Sequence, residues 1–183
     1  MASGAVLILA ALSLLLLNRR EARQAEAAVE AVLPQVIAQM PEEAFLPVPH
    51  SGEMATVEVE GEDYIGCLSI PALGLELPVM ADWSYPRLKT APCRYAGSTK
   101  TDDFVIMAHN YDRHFGRLSQ LSEGDEVLFT DMEGVVTRYA VAALDILDPT
   151  AIGEMTAGDY DLTLFTCTYG GKSRVTLRCD RSE

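Results

Sequence analysis

The chain opens on an unbroken apolar run, Ala5 to Leu17, that stops abruptly at Asn18-Arg19-Arg20. Extended back to Met1 it has 17 low-polarity residues, the lower limit for a membrane-crossing helix. It shows no polar face, and the charged start of a cleaved signal peptide is missing. The pattern predicts an uncleaved membrane anchor over residues 1–18. Arg19, Arg20 and Arg23 follow the run and no Lys or Arg precedes it, so charge alone would keep the remainder in the cytoplasm. The chemistry read below needs it outside.

From residue 19 the pattern changes. Val29, Val32, Leu33, Val36, Ile37 and Met40 recur at spacings of three and four, one stripe of an amphipathic helix over 19–40. Pro34 is expected to kink or restart it. Pro41 to Gly61, with three prolines and two glycines, reads as a linker. Beyond it the apolar runs become short. Strands are expected at Tyr64–Ile70, Leu75–Met80, Phe104–Ala108, Glu126–Thr130, Arg138–Leu147, Leu162–Cys167 and Arg174–Cys179. Pro71 to Gly74, Gly124-Asp125, Asp131 to Gly134 and Gly170-Gly171 separate them as turns. One short helix is expected around Phe115–Leu121, and Trp83 and Tyr85 are expected to pack another between strands. The three-part division is therefore anchor (1–18), helical extension and linker (19–61) and catalytic domain (62–183). The fold class is all-β with minor helices, closed or sandwich-like.

Composition narrows the function. The 183 residues carry 14 Lys plus Arg against 27 Asp plus Glu, a net of −13. So acidic a chain has little attraction for phosphate backbones, and nucleic acid is not an expected partner. The four cysteines are too few for a disulfide scaffold. Glu123 to Asp125 and Asp102-Asp103 read as solvated acidic turns rather than a calcium site. No metal or cofactor is implied.

The sharpest signal lies near the C-terminus. Two β-rich runs, Leu162 to Cys167 and Arg174 to Cys179, flank a six-residue loop carrying Gly170 and Gly171. Paired as an antiparallel hairpin, they set Cys167 opposite Arg174, with Cβ atoms about 5 Å apart on one face. A guanidinium there favours a thiolate and can hold a developing oxyanion. Arg178 shares that face but lies four residues on, about 13 Å at strand rise. Cys179 shares the face of Val175 and Leu177 and is expected to be buried. A Cys67–Cys93 bridge is left open. Of three histidines, His50 lies in the linker and His114 in a polar loop. His109 follows the apolar run Phe104 to Ala108, where a buried strand emerges, a suitable place for a catalytic imidazole.

The order of a strand-ending His109, then Thr163-Leu164-Phe165-Thr166-Cys167, then Arg174 opening a Val-x-Leu strand, resembles the sortases, membrane-anchored cysteine transpeptidases of Gram-positive bacteria. The likeness covers Tyr64 to Arg181. It implies a closed eight-stranded β-barrel with an N-terminal helical extension. It also implies Cys167 as nucleophile, His109 as the histidine of Ala108-His109-Asn110, and Arg174 as the arginine opening the last strand. Thr166 and Asn110 are implied as substrate-binding residues. Implied partners are secreted proteins with a C-terminal sorting signal, and an amine acceptor on a peptidoglycan precursor or a pilin. The catalytic domain would then be extracellular, held by a single-pass anchor at the cell membrane. Asn110, the helical extension and Phe115-Gly116-x-Leu118 resemble class B, although the short Asp148–Asp159 connection departs from that class. Two rival readings remain: an L,D-transpeptidase-type acyl-transferase, whose Ser-x-Gly-Cys is missing, and a tethered β-domain that only binds a surface partner.

Overall fold

The computed structural model describes residues 2–41, 53–157 and 159–182. His50 and most of the expected linker lie outside them. A 36-residue helix, α1 (Ala2–Ile37), is followed by β1 (Val57–Val59), β2 (Glu62–Ile70) and β3 (Leu75–Met80). Next come the one-turn helix α2 (Tyr85–Leu88), β4 (Cys93–Ala96), β5 (Phe104–Met107), β6 (Glu126–Asp131) and β7 (Val136–Leu147). The chain ends with the one-turn helix α3 (Ile152–Met155), β8 (Leu162–Cys167) and β9 (Arg174–Arg181).

Eight strands close a barrel in the order β2–β3–β4–β5–β8–β9–β7–β6, and β6 returns to pair with β2; β1 adds to the β2 edge. Side chains alternate, so one face of each strand fills the lumen. Ile65, Leu68, Leu77, Phe104, Ile106, Phe129, Leu162, Leu164 and Leu177 build that core. Gly66 makes closure possible. It sits at a bulge in β2, and a Cβ there would lie 2.2 Å from the Thr130 carbonyl oxygen.

The helical stripe reads as predicted where it touches the barrel. Ala25, Val29, Val32 and Val36 are buried, and the latter two pack with Val59, Tyr64, Met80 and Leu88. Pro34 lies inside α1, three residues before its end.

The expected membrane anchor is overturned. Among the described residues no helix is long and apolar enough to cross a membrane. Ala5–Leu17 is about 20 Å long at helix rise, against roughly 30 Å of hydrocarbon core. The same helix then runs directly into Arg19, Arg20 and Glu21. The expected localisation by a single-pass membrane anchor falls with it.

Other departures are local. Strand β4 was not expected: it is four residues long, contains Arg94 and follows Pro92, so no run of apolar alternation marks it. The Phe115–Leu121 helix shrinks to one 3-10 turn at Leu118–Gln120. Helix α2 forms with Ser84 as cap, its Oγ accepting from the Arg87 N–H at 3.3 Å, but Tyr85 projects into solvent. All four cysteines are free thiols, so Cys67 and Cys93 are not bridged.

Candidate active site

Three strand ends converge at one rim of the barrel. β8 and β9 pair antiparallel with Cys167 opposite Arg174, the register the sequence implies. β5 runs parallel to β8 with Met107 opposite Phe165. The Ala108 N–H continues that ladder to the Phe165 carbonyl at 3.2 Å. His109 is two residues past Met107, as Cys167 is two past Phe165. The histidine therefore follows the end of β5, next to the strand that carries Cys167. Cys167 and Arg174 thus lie on paired strands, and His109 follows the end of the strand on the other side of β8.

The loops hold these ends. In the hairpin loop the Thr168 N–H donates to the Ser173 carbonyl at 2.9 Å, and Gly170 and Gly171 take left-handed backbone that side chains resist. The Arg174 guanidinium is folded onto this loop, donating to the Gly171 and Ser173 carbonyls at 3.3 Å each. On the histidine side the Phe115 N–H reaches back to the His109 carbonyl at 3.1 Å. Gly116 is required there, because a Cβ would lie 2.5 Å from the Asn110 carbonyl oxygen. Thr166 is buried and donates its hydroxyl proton to the Ala108 carbonyl at 2.8 Å. It staples β8 to the histidine segment, and it also lines the cavity beside Cys167.

The imidazole rests on an aromatic stack. The His109 ring lies 4.9 Å from that of Tyr111, which in turn lies 5.5 Å from His114. Burial, with the positive charge of Lys89, pushes the His109 pKa down; Glu21 opposes the shift. His114 is fully buried, neither ring nitrogen has a hydrogen-bond partner among the described residues, and burial pushes its pKa down to about 4. It is an aromatic floor, not a second base.

Two cavities meet at the site. One of about 200 Å³ holds Cys167 among Thr166, Phe115, Ser119 and Val175. The other, about 470 Å³, holds His109 and is walled on its far side by α1. Asn110 and Tyr169 line both. The other three cysteines are buried, and burial pushes each of their thiols up to about 12.

Arg178 is absorbed by the structure. Its side chain is only 7% exposed and pairs with Asp145 at 3.2 Å. It donates to the Thr163 hydroxyl at 3.1 Å and to the Glu154 and Met155 carbonyls at 2.8 and 3.4 Å. It therefore caps α3, whereas Arg174 is the arginine in register with Cys167. Tyr111, Tyr169, the Arg178 clamp and the α1 wall were not found by sequence reasoning. They come from loop closure and long-range packing, which leave no periodic signature.

A family profile for the Sortase domain matches residues 68–182, more than half of the chain. The chain belongs to the sortase family. The fold agrees with solved sortases. A sortase C1 from Streptococcus suis is 26% identical at a TM-score of 0.56, covering 66% of this chain and 73% of its own. A sortase A from Corynebacterium diphtheriae (19%, TM-score 0.61, 86% and 84% covered) and a sortase C from Clostridium perfringens SM101 (20%, 0.57, 90% and 90%) share the architecture. No curated protein sequence matches. These neighbours are named as class A and class C enzymes, and the class B likeness read from Asn110, the helical extension and Phe115-Gly116-x-Leu118 is not confirmed by them.

Proposed function

We propose that this sortase cleaves a C-terminal sorting signal of secreted proteins and transfers the acyl group to an amine on a cell-wall precursor or another protein. The observation that carries this is the register: Cys167 opposite Arg174, with His109 two residues past the end of the strand on the other side. The Cys167 thiolate attacks a backbone carbonyl carbon of the donor. Arg174, released from its two loop carbonyls, supports the tetrahedral oxyanion together with a backbone N–H. His109 as imidazolium gives its proton to the leaving amine. The C–N bond breaks and a thioester on Cys167 remains. An acceptor amine then attacks that carbon, passes its proton to His109, and the C–S bond breaks to return the thiolate beside the imidazolium. Water in place of the amine gives hydrolysis. Asn110, at the meeting of the two cavities, and Thr166, in the Cys167 cavity, line the donor's path. None of these steps calls for a metal or cofactor.

The test is a peptide library carrying varied C-terminal motifs, read by mass spectrometry. Wild-type protein should cleave one motif class and gain an acyl adduct on Cys167. Cys167→Ala should abolish both while the circular dichroism is unchanged. A thiol-directed probe should label Cys167 far faster than Cys67, Cys93 or Cys179, whose buried thiols resist ionisation. Equal labelling, or cleavage that survives Cys167→Ala, would return the chain to a binding role.

A further inference from the structure

Strand β7 outlasts one of its neighbours. β6 pairs with it only as far as Ala140, opposite Glu126. The turn before β6 adds two bonds at Val141, from the Gly124 N–H at 2.8 Å and to the Asp125 carbonyl at 2.9 Å. On the other side β9 pairs with β7 all the way to Leu147. The alternation of an antiparallel ladder says which backbone groups stay open. The Thr168 N–H bonds the Ser173 carbonyl across the β8–β9 hairpin, so Val175 and Leu177 face β8 while Arg174, Thr176 and Arg178 face β7. A bulge at Ala142 shifts β7 by one residue. Ala143, Asp145 and Leu147 therefore bond β9. The N–H and C=O groups of Leu144 and Ile146 point the other way, where no strand pairs with them among the described residues.

The side chains point to the same surface. Leu144 and Ile146 are 37% and 60% exposed, on the sheet face that carries Leu177 and Val175. They continue the core face past the point where β6 stops covering it. Strand edges are ordinarily blunted by Lys, Pro or an inward charge. Ala142 to Leu147 has no Lys, Arg or Pro, and its one acid, Asp145, lies on the opposite face and pairs with Arg178. Acids stand instead at the two ends of the edge: Glu123 and Asp125 in the turn beside Val141, and exposed Asp148 just past Leu147. A second copy of the chain fits badly. Antiparallel self-pairing would bring Asp148 of each copy toward Glu123 and Asp125 of the other, between chains of net charge −13. A strand with aliphatic residues at alternate positions and a basic residue at each end answers the open amides, the exposed Leu144 and Ile146, and the acids together.

We propose that the open edge of β7 at Leu144–Ile146 takes an extended segment of a protein partner as an added strand, aliphatic at alternate positions and carrying Lys or Arg at both ends. Main-chain bonds at Leu144 and Ile146 hold the segment, and its aliphatic side chains cover theirs. From Val141 to Asp148 the edge spans about 23 Å at strand rise, so about seven residues of extended chain reach both acidic ends. β9 separates this edge from the strand that carries Cys167, so the docking surface stands apart from the transpeptidase reading.

The probe is the peptide acetyl-Lys-Val-Thr-Val-Thr-Val-Lys-amide, beside a copy with Glu at both ends, each added to the full-length protein. Hydrogen exchange followed by NMR should slow at least tenfold at the Leu144 and Ile146 amides when the Lys-ended peptide is bound. Asp145 and Leu147, already bonded to β9, should stay within twofold. By fluorescence anisotropy the Glu-ended peptide should bind at least tenfold more weakly. Ile146→Lys should weaken the Lys-ended peptide at least tenfold, whereas Val136→Lys, at an exposed position at the other end of β7, should stay within twofold. The exchange and peptide-exchange readouts need no variant. Unchanged exchange at the two amides in millimolar peptide, or equal affinity for the two peptides, overturns the proposal. Slow exchange at both amides without peptide, growing with protein concentration alongside a dimer in sedimentation, also overturns it and gives the edge to a second copy.

Discussion

The His109 backbone is held by the Phe115 N–H and its ring by contact with Tyr111, which makes Tyr111 a positioning residue. Tyr111→Ala should lower the rate of thioester formation about tenfold to a hundredfold by freeing the imidazole. Tyr111→Phe keeps the stacked ring and should stay within about threefold. A stopped-flow measurement of acylation separates the two. Lys89 holds the His109 pKa down through its charge, so Lys89→Gln should raise it, and Glu21→Gln should lower it; histidine resonances followed by NMR report both directions. Beneath the stack, His114 ties stability to acidity. Above its ordinary pKa of 6.5 the ring is neutral whether folded or unfolded and contributes nothing pH-dependent. As pH falls through 6.5 toward about 4, the unfolded chain takes a proton that the buried ring refuses, and stability is lost. The loss approaches about 3 kcal/mol at the acid end. His114→Phe should remove it, so urea unfolding at pH 7 and pH 4 should show the variant gaining on wild type as pH falls. Parallel curves would refute the assignment.

The β8–β9 hairpin shows what one element can carry and how much of it was legible. Strict alternation, Gly170-Gly171 and the six-residue loop fix its register from sequence, because a one-residue slip would turn Leu164 and Leu177 out of the core. That register placed Cys167 against Arg174 and distinguished Arg178 by distance. It did not disclose Arg178's partners, since α3 and Asp145 reach it from other parts of the chain. Nor did it disclose β4, too short and too polar to show a period. α3 is a single turn with no side-chain cap at its start, so its hold on the barrel rests on Arg178 and on buried Met155, which packs with Val105 and Phe165. The two arginines should therefore separate cleanly. Arg178→Ala should cost about 2–4 kcal/mol of unfolding free energy, because buried acceptors and Asp145 lose their partner. Arg174→Ala should leave stability within about 1 kcal/mol yet lower kcat/KM by about a hundredfold to a thousandfold. Urea unfolding and donor cleavage on both variants decide it. A reversed ranking would move the oxyanion role to Arg178.

At the scale of the whole molecule the site depends on ring closure. Cys167 and Arg174 come from strands β8 and β9 and His109 from the segment just past β5, and the spacing of these strands is kept only while the sheet returns on itself through β2 and β6. That return passes through Gly66, whose missing side chain lets the Thr130 carbonyl and the Phe129 ring approach, 2.2 and 2.8 Å from where a Cβ would stand. A methyl there meets backbone on one side and a packed core ring on the other, so no flexible group can yield. The positive φ of 152° adds strain for any other residue. Gly66→Ala should therefore destabilise by about 3 kcal/mol or more, lowering Tm by roughly 6–12 °C for a chain of this size. Donor cleavage should fall with it, since loosening the β2–β6 seam relaxes the rim on which the three side chains stand. A control at Gly124, where a Cβ would meet nothing within 4 Å, separates closure from backbone strain: its φ of 89° is also positive, so Gly124→Ala should carry the strain without the collision and cost less. Equal losses at the two positions, by calorimetry, would show that backbone conformation rather than the seam sets the penalty.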